Sequence, residues 1–398
     1  MKKHFGMLLF LACACVFSAV PALAGENIEF PGAELQLMEF NGRTHATHHF
    51  IGPDAGGTGK SKSLTGNTVI VNSGEVKGIT SYHEDGDIEE GHVYGAMNFM
   101  DEEPVTGNQV IIKGGTAGPA EWMEGANGTV SGGIGSGGDV IGNSVAVSDG
   151  TVNAAIYGGY SRDEGNVTGN SVIVSGGAMN GLVVGGYGGY AANNTVTISG
   201  GTVNRSVAIG SVLGGFGLNA TNNTVIIEGG TVNGDVCGGR TYLWDGNATG
   251  NTVIVSGGEV NGIIFGGNFG EGDGFSGNTL VIDGYAFSVE GAGNFENYNF
   301  VIPASAAAGG AALTVTDHAV NLDNTNIDVT GIADGVVPAS GDAVILISNV
   351  SGAPKTINGA DFADGKEYIT SYGTWKFSTA EGKLTAMASQ DGKSVDLE

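Results

Sequence analysis

The hydrophobic and polar residues of this chain follow a repeat in which an asparagine marks the start of each unit. The residues two and four places after each marker are branched aliphatics in every unit, sixteen in all. Because β-branched residues with a period of two are typical of strands, each unit is predicted to begin with a short strand. The markers are Asn67, Asn108, Asn143, Asn170, Asn194, Asn223, Asn251 and Asn278.

Each predicted strand ends at glycine. Seven of the eight units have glycine seven places after the marker, and Tyr285 is the exception. Glycine accepts a positive φ without steric cost, so these positions are predicted to be sharp corners. The residue nine places after the marker is apolar again and is predicted to start a second strand: Val76, Ala117, Val152, Met179, Val203, Val232, Val260 and Phe287.

One such unit cannot bury its aliphatic residues alone, but stacked units can. The later units are 24 to 29 residues long, whereas a β-propeller blade needs about 40 residues or more. The predicted fold is therefore all-β, a right-handed parallel β-helix (solenoid) with an N-terminal cap and a C-terminal β module. The marker asparagines are predicted to hydrogen-bond to one another along the stack.

The chain is predicted to be exported. Lys2 and Lys3 precede an apolar run and a small-residue cleavage site after Ala24, which is typical of a secretory signal peptide. The predicted location is secreted or cell surface. The predicted segments are a signal peptide (1–24), an N-terminal cap (25–64), glycine-rich repeats (65–295), a C-terminal β module (296–389) and a frayed tail (390–398).

Charge and cysteine content narrow the classes of partner. The net charge of −26 argues against nucleic-acid binding, which depends on Lys and Arg. No segment after the leader is apolar enough to predict a transmembrane helix. Cys13 and Cys15 lie in the leader, so Cys237 is the cysteine that remains. Its predicted role is that of a strand residue, equivalent to Tyr157, Val184, Ala208 and Phe265 in other units.

The glycine-rich units behind a leader resemble the passenger region of bacterial autotransporters, the pertactin-like parallel β-helix of the adhesin type. The segment Tyr298–Pro303, the strand Ala312–Thr316 and the segment Gly341–Ile347 resemble the part that such passengers carry before their translocator. The resemblance implies adhesion or another form of surface contact. It also implies an outer-membrane β-barrel, and this sequence ends at Glu398 without one. The alternatives are a truncated gene, a separate outer-membrane translocator, or a free secreted relative.

A carbohydrate-active enzyme is the main alternative function, because parallel β-helices also include polysaccharide lyases and glycoside hydrolases. Such glycosidases need two carboxylates on one face, and Glu228 and Asp283 lie two coils apart in the repeat. The prediction is a non-enzymatic protein without catalytic residues, cofactor or metal site. The acidic segment 83–90 is predicted to be a solvated insertion, with weak calcium binding as the alternative. A structural cell-surface component is the third functional alternative.

Aromatic residues follow the second glycine pair of several units, beside acidic residues. Equivalent placement in successive coils is predicted to align them along one edge, where they could contact host or bacterial surface glycans or proteins. The alternative is that these rings fold back over the glycine-rich wall. The candidate ligand-contact residues are Tyr160, Tyr187, Tyr190, Tyr242, Trp244 and Phe269.

Overall fold

The structure is a computed structural model, and about two thirds of its residues lie in strands that form a parallel β-solenoid of about seven turns. No helix in the described part of the chain is long and apolar enough to cross a membrane. The described residues are 27–30, 48–51, 65–66, 68–72, 75–76, 79–83, 86–98, 103–118, 128–204, 211–242, 246–267, 276–302, 310–332, 343–370 and 373–389.

Most strands are short, but in four coils the prediction that a glycine corner separates two strands is wrong. There a single nine-residue strand, such as 171–179 or 224–232, continues through the glycine pair, and the pairing register shifts at that point. The first nineteen strands are β1 (Asn27–Phe30), β2 (His48–Ile51), β3 (Thr68–Val71), β4 (Glu75–Val76), β5 (Ile79–His83), β6 (Gly86–Tyr94), β7 (Met97–Asn98), β8 (Val105–Thr106), β9 (Gln109–Ile112), β10 (Thr116–Ala117), β11 (Thr129–Gly135), β12 (Val140–Ile141), β13 (Ser144–Val147), β14 (Thr151–Val152), β15 (Ala155–Ser161), β16 (Asn166–Thr168), β17 (Ser171–Met179), β18 (Val183–Ala192) and β19 (Thr195–Val203).

The later coils keep the same order of elements. They comprise β20 (Val212–Thr221), β21 (Thr224–Val232), β22 (Val236–Thr241), β23 (Asn247–Thr249), β24 (Thr252–Val260), β25 (Ile263–Phe265), β26 (Thr279–Asp283), β27 (Phe287–Gly293), β28 (Asn297–Ile302), β29 (Ala311–His318), β30 (Val320–Asn321), β31 (Asn326–Ile332), β32 (Ala343–Ile347), β33 (Val350–Ser351), β34 (Thr356–Ile357), β35 (Ala360–Asp361), β36 (Glu367–Thr370), β37 (Gly373–Ser378), a 3-10 turn (Ala380–Gly382) and β38 (Leu384–Ala388).

Two long sheets form the walls of the solenoid. The first, sheet A, contains the strands that follow the marker asparagines and runs from β1 to β35. The second, sheet B, contains the strands that follow the glycine corners, such as β15, β18, β20 and β22. From β3 to β31 every step along sheet A pairs equivalent strands of successive coils in parallel. The predicted parallel stack is therefore confirmed.

The aliphatic residues after the markers lie directly over one another, as predicted. Val196 pairs with Val225, and Val225 pairs with Val253. The residues two and four places after each marker are buried in one continuous core. The third column runs through Met179, Val203 and Val232 to Val260. Its expected last member, Phe287, instead lies in β27, pairs with Leu313 of sheet B and is partly exposed.

The marker asparagines form a hydrogen-bonded ladder inside the solenoid. The Oδ1 atom of Asn223 accepts hydrogen bonds from the backbone N–H and the Nδ2 of Asn194, both at 3.0 Å. Asn223 in turn donates from Nδ2 to Oδ1 of Asn251, at 3.1 Å, and to the carbonyl of Ala191, at 3.0 Å. The same bonds continue from Asn108 to Asn278, and all seven asparagines are buried. The predicted ladder is confirmed, and it satisfies amides that water cannot reach.

A second and more exposed ladder follows the second strand of each unit. It runs from Asn153 through Asn180, Asn204 and Asn233 to Asn261, with side-chain hydrogen bonds of 2.6 to 3.2 Å. This ladder was not part of the sequence-based prediction. It lies at the corner where the chain turns from sheet A towards sheet B, whereas the marker asparagines lie at the corner before each sheet A strand. Hydrogen-bonded asparagines therefore stabilise the corners at both ends of sheet A.

At the C-terminal end the pairing changes from parallel to antiparallel. Strand β32 pairs in parallel with β29 on one side and antiparallel with β38 on the other. The segment Tyr368–Phe377 contains two strands, β36 and β37, which pair antiparallel. The reason is visible in the core, because Tyr368 lies opposite Trp375 and both side chains are buried. Together with β38 these strands extend sheet B beyond β32.

Two predicted segments, 1–24 and 390–398, lie outside the described residues. Of the predicted cap, strands β1 and β2 are described. They pair in parallel with β3 and β6, respectively.

Candidate functional site

The outer surface of sheet B carries its own apolar column. Alternate residues of these strands point into the solenoid core, for example Val183, Val212 and Val236. Their neighbours form a separate cluster outside that core. This outer column consists of Tyr157, Val184, Leu213, Cys237 and Phe265. The prediction that Ala208 is equivalent to Cys237 is wrong, because Leu213 is the residue that pairs with Cys237.

A pair of glycines follows each residue of the outer column and brings the two walls into contact. A Cβ on the first glycine, Gly214, would lie 2.3 Å from the carbonyl oxygen of Gly238 in the next coil. A Cβ on the second glycine, Gly215, would lie 2.4 Å from Nδ2 of Asn223. Real Cβ atoms cannot approach so closely, so the first glycine is required by the backbone of the next coil and the second by the asparagine ladder.

Beyond the glycine pairs the next residues are aromatic and again align between coils. Tyr160 pairs with Tyr187, Tyr187 with Phe216, and Phe216 with Arg240. The aligned placement that the sequence predicted for Tyr160 and Tyr187 is therefore present. The position is fixed by the backbone register of β15, β18, β20 and β22.

Tyr187 is the centre of a group of rings, which we call the aromatic cluster: Tyr157, Tyr160, Tyr187, Phe216 and Tyr242. The ring of Tyr187 stacks on Tyr160 with centroids 5.0 Å apart and planes inclined by 15°. It stacks on Tyr242 at 6.3 Å and meets Phe216 edge-on at 5.1 Å. Tyr157 contacts both Tyr160 and Tyr187. Such centroid separations are those of favourable aromatic pairs.

The cluster is buried at one end and exposed at the other. Phe216 is buried and packs with the outer column, whereas Tyr242 is 38% exposed. Tyr190, 42% exposed, lies further along β18, and its hydroxyl accepts a hydrogen bond from Thr221 at 3.1 Å. Trp244 and Phe269 lie outside the described residues. The cluster therefore combines an internal support with one exposed tyrosine, Tyr242, and a second exposed tyrosine, Tyr190, lies on the same strand as Tyr187.

Burial keeps the phenols of the cluster in their neutral form. Desolvation raises the pKa of Tyr187 above its ordinary value. The pKa of Tyr160 is raised by desolvation and then by Tyr187 and Asp163, against a lowering effect of Arg162. The pKa of Tyr242 is raised by desolvation first and then by Glu164 and Tyr187. Neutral phenols can both donate and accept hydrogen bonds, which suits them to polar ligands such as glycans.

Acidic residues lie beside the cluster. Asp163 and Glu164 are exposed at the turn after Tyr160. Asp163 accepts a hydrogen bond of 2.5 Å from the Ser136 hydroxyl. Nearby, Asp139 accepts one of 2.9 Å from the amide of Asn166. These contacts orient the carboxylates at the surface, so the rings have a polar and negatively charged border.

Cys237 belongs to the buried outer column. Its Sγ donates to the carbonyl of Gly239 at 3.0 Å. Burial raises the pKa of the thiol to about 12, although the charge of Arg240 and a hydrogen bond from the backbone of Gly239 act in the opposite direction. Since the thiolate is the reactive form of cysteine, this geometry disfavours reaction at neutral pH.

The remaining chemical candidates are dispersed. In the part of the chain that the structure describes, no three or more His, Cys, Asp or Glu residues are placed to hold a metal ion. Glu228 and Asp283 both lie on sheet A, and Glu228 pairs with Gly257 of the coil between them. The side chains of the acidic segment 83–90 lie outside the described residues.

Tyr157 also belongs to the aromatic cluster, which its place in the repeat does not predict. The repeat assigns it to a strand column, yet its ring lies 5.1 Å from that of Tyr160. The signal was the spacing Tyr-Gly-Gly-Tyr. Two residues three apart on a regular strand point to opposite faces, but the glycine pair changes the direction of the chain between them.

Comparisons with known proteins give no relative. No family model matches the chain, and no curated protein or solved structure is significantly similar to it. The fold established by the structure is a parallel β-solenoid, and the pertactin-like passenger region is one architecture with which it is consistent.

Proposed function

We propose that this chain is an exported β-solenoid that acts as an adhesin or scaffold at the cell surface or in the medium, without catalysing a reaction. Its proposed contact surface is the aromatic cluster together with Tyr190. The proposed ligands are glycans or proteins of a host or bacterial surface.

The observation that carries the proposal is the packing of Tyr187 between Tyr160 and Tyr242. Ring contacts at 5.0 and 6.3 Å hold these side chains in place before any ligand arrives. Preorganised side chains lose little conformational entropy on binding. Tyrosines that offer an apolar body and a polar tip are frequent among the residues that dominate binding energy.

The test is binding by residues 25–398 to immobilised glycans and to whole bacterial and host cells. Replacing both Tyr190 and Tyr242 with Ala is expected to weaken attachment at least tenfold, which corresponds to about 1.4 kcal/mol or more. The matched control is Ile369→Ala, since Ile369 is 81% exposed and lies outside this surface. Unchanged attachment of the tyrosine variant, or depolymerisation of a bound glycan, would contradict the proposal.

Export is tested separately from binding. The basic residues, apolar run and small residues before Gly25 support cleavage after Ala24. Cell fractionation with N-terminal sequencing is expected to find the chain outside the cytoplasm and starting at Gly25. A cytoplasmic chain that starts at Met1 would contradict it.

The passenger-like architecture suggests that a separate outer-membrane translocator carries the chain to the surface. The support is the stack of parallel coils together with the leader that the sequence predicts. Protease added to intact cells is expected to cleave the chain only when such a translocator is present. Equal cleavage without it would favour a free secreted protein.

A further inference from the structure

The outer face of sheet A carries apolar residues where a solvated face usually carries polar ones. Strands such as 171–174 (Ser-Val-Ile-Val) and 224–227 (Thr-Val-Ile-Ile) contain three consecutive aliphatics. The first and third of these point into the core and are buried, whereas Ile173 and Ile226 point outward and are partly exposed. Runs of this kind are typical of strands that are covered on both faces.

The outward residues at this position form one continuous column, which we call the isoleucine stripe; five of its eight members are isoleucine, and Thr197 is its one polar member. Parallel pairing connects its members coil by coil, so they follow one another along the sheet. With strands about 4.8 Å apart, the stripe is roughly 34 Å long. Its members are Ile70, Ile111, Ala146, Ile173, Thr197, Ile226, Ile254 and Val281.

A second uncharged column borders the stripe on one side. It consists mainly of threonine and serine, and each member is partly exposed. Its members are Thr68, Gln109, Ser144, Ser171, Thr195, Thr224, Thr252 and Thr279.

The C-terminal end of the stripe is polar, because Val281 pairs with Asn299 of the next coil and Asn299 pairs with Asp328. The two columns thus provide sixteen outward positions without a charge on a chain whose net charge is −26. On the other side the stripe is bordered directly by the residue two places further along each coil, which is charged in three coils, at Lys113, Glu228 and Asp283.

We infer that this face pairs with the same face of a second copy of the chain. Two copies of net charge −26 repel each other, and the repulsion is weakest where neither surface carries a charge. A partner that repeats at the strand spacing can place its side chains between those of the stripe in every coil, as in packed β-sheets. A second copy of the chain has the same spacing between the strands of its sheet A.

The size of the face sets the strength of the contact. A stripe of roughly 34 Å by 13 Å covers about 400 Å² per copy, which is half of a standard interface of about 800 Å² per partner. The association is therefore weak in solution and depends on concentration. Because the surface used is sheet A, it leaves the aromatic cluster of sheet B free and does not depend on the proposed ligand binding.

Sedimentation velocity of residues 25–398 over a range of concentrations tests the inference. The native chain is expected to dimerise, and more strongly as NaCl screens the repulsion. The double variant Ile173→Lys with Ile226→Lys is expected to dimerise at least tenfold more weakly. The matched control Ile369→Lys adds the same charge at an exposed position outside the face and is expected to dimerise like the native chain.

Several outcomes would overturn the inference. These are a native chain that stays monomeric at every concentration, a dimer that weakens with salt, or equal dimerisation of the double variant. Thermal unfolding checks that the lysine variants keep their fold. If the double lysine variant does not fold, the milder double variant Ile173→Thr with Ile226→Thr is used in its place. Disulfide cross-linking shows where the two copies meet. In a chain that also carries Cys237→Ser, the substitution Thr197→Cys is expected to give an intermolecular disulfide, whereas Ile369→Cys is not.

Discussion

The amide of Asn223 fills the space that a side chain on Gly215 would occupy: a Cβ at Gly215 would lie 2.4 Å from Nδ2 of Asn223. The same relation holds between Gly186 and Asn194, and between Gly239 and Asn251. The asparagine of one wall and the glycine of the other are therefore two parts of one contact, repeated in each coil.

Gly215→Ala is expected to destabilise the chain by about 3 kcal/mol or more, because neither the buried amide nor the backbone can move aside. Urea unfolding followed by circular dichroism measures the change. The control is Gly169→Ala, where φ is +65° and nothing lies within 4 Å of the added Cβ. That variant meets only backbone strain, of about 1 to 2 kcal/mol. Equal losses in the two variants would show that the contact with Asn223 is not what requires glycine.

Asn223→Ala is expected to cost about 3 kcal/mol, since it removes the acceptor of two buried donors on Asn194. Asn233→Ala, in the partly exposed second ladder, is expected to cost about 1 kcal/mol because water can replace the lost bonds. Unfolding free energies of both variants test the ranking. A larger loss at Asn233 would reverse the roles assigned to the two ladders.

Val225→Asp places a carboxylate between Val196 and Val253 in a column that is fully buried. The expected loss is about 4 kcal/mol or more, because the charge has no partner there. Thr224→Asp adds the same group one residue earlier on the outer face and is expected to cost about 1 kcal/mol. If thermal unfolding shows equal stability for the two variants, the inward register of β21 is wrong.

Cys237 is expected to resist alkylation in the folded chain from Gly25 onward. Its thiol has a pKa of about 12 instead of the ordinary 9.0, so little thiolate is present at pH 8. The raised pKa also predicts a pH dependence. The contribution of this residue to stability is complete below pH 9 and decreases as pH rises from 9 towards 12, because only the unfolded chain ionises readily. Iodoacetamide labelling with and without urea measures reactivity, and rapid labelling of folded protein would contradict the burial of the thiol.

The strand register could be predicted because two independent regularities coincide in the sequence. The marker asparagine sets the start of each unit, and the residues two and four places later, such as Val225 and Ile227, alternate with the period of a strand. The sequence contains this information locally, and the parallel pairing of successive coils follows from it. The glycine corners, among them Gly177 and Gly230, have the positive φ that the pattern predicts.

Some features of the structure could not be predicted, because they depend on contacts between coils of different length or on the angle of a turn. Leu213 occupies the place expected for Ala208 because counting from the marker fails where a unit contains an insertion. The ring contacts of Tyr157 depend on a turn at a glycine pair, and the pattern contains no information about the angle of that turn. The residue before each marker also has positive φ, including Asn193 and Asn222, and the glycine count alone does not reveal these asparagine corners.

The hydrogen-bonded ladder of marker asparagines also has a consequence for how the length of such a chain can change. Each marker asparagine receives two bonds from the preceding asparagine and gives two to the following asparagine, so the ladder bonds are the same between successive coils. Duplication or loss of one complete unit would rejoin the ladder without exposing a new surface. Each added unit would lengthen the molecule by about 4.8 Å, so its reach can be adjusted in small steps by copying short stretches of the gene.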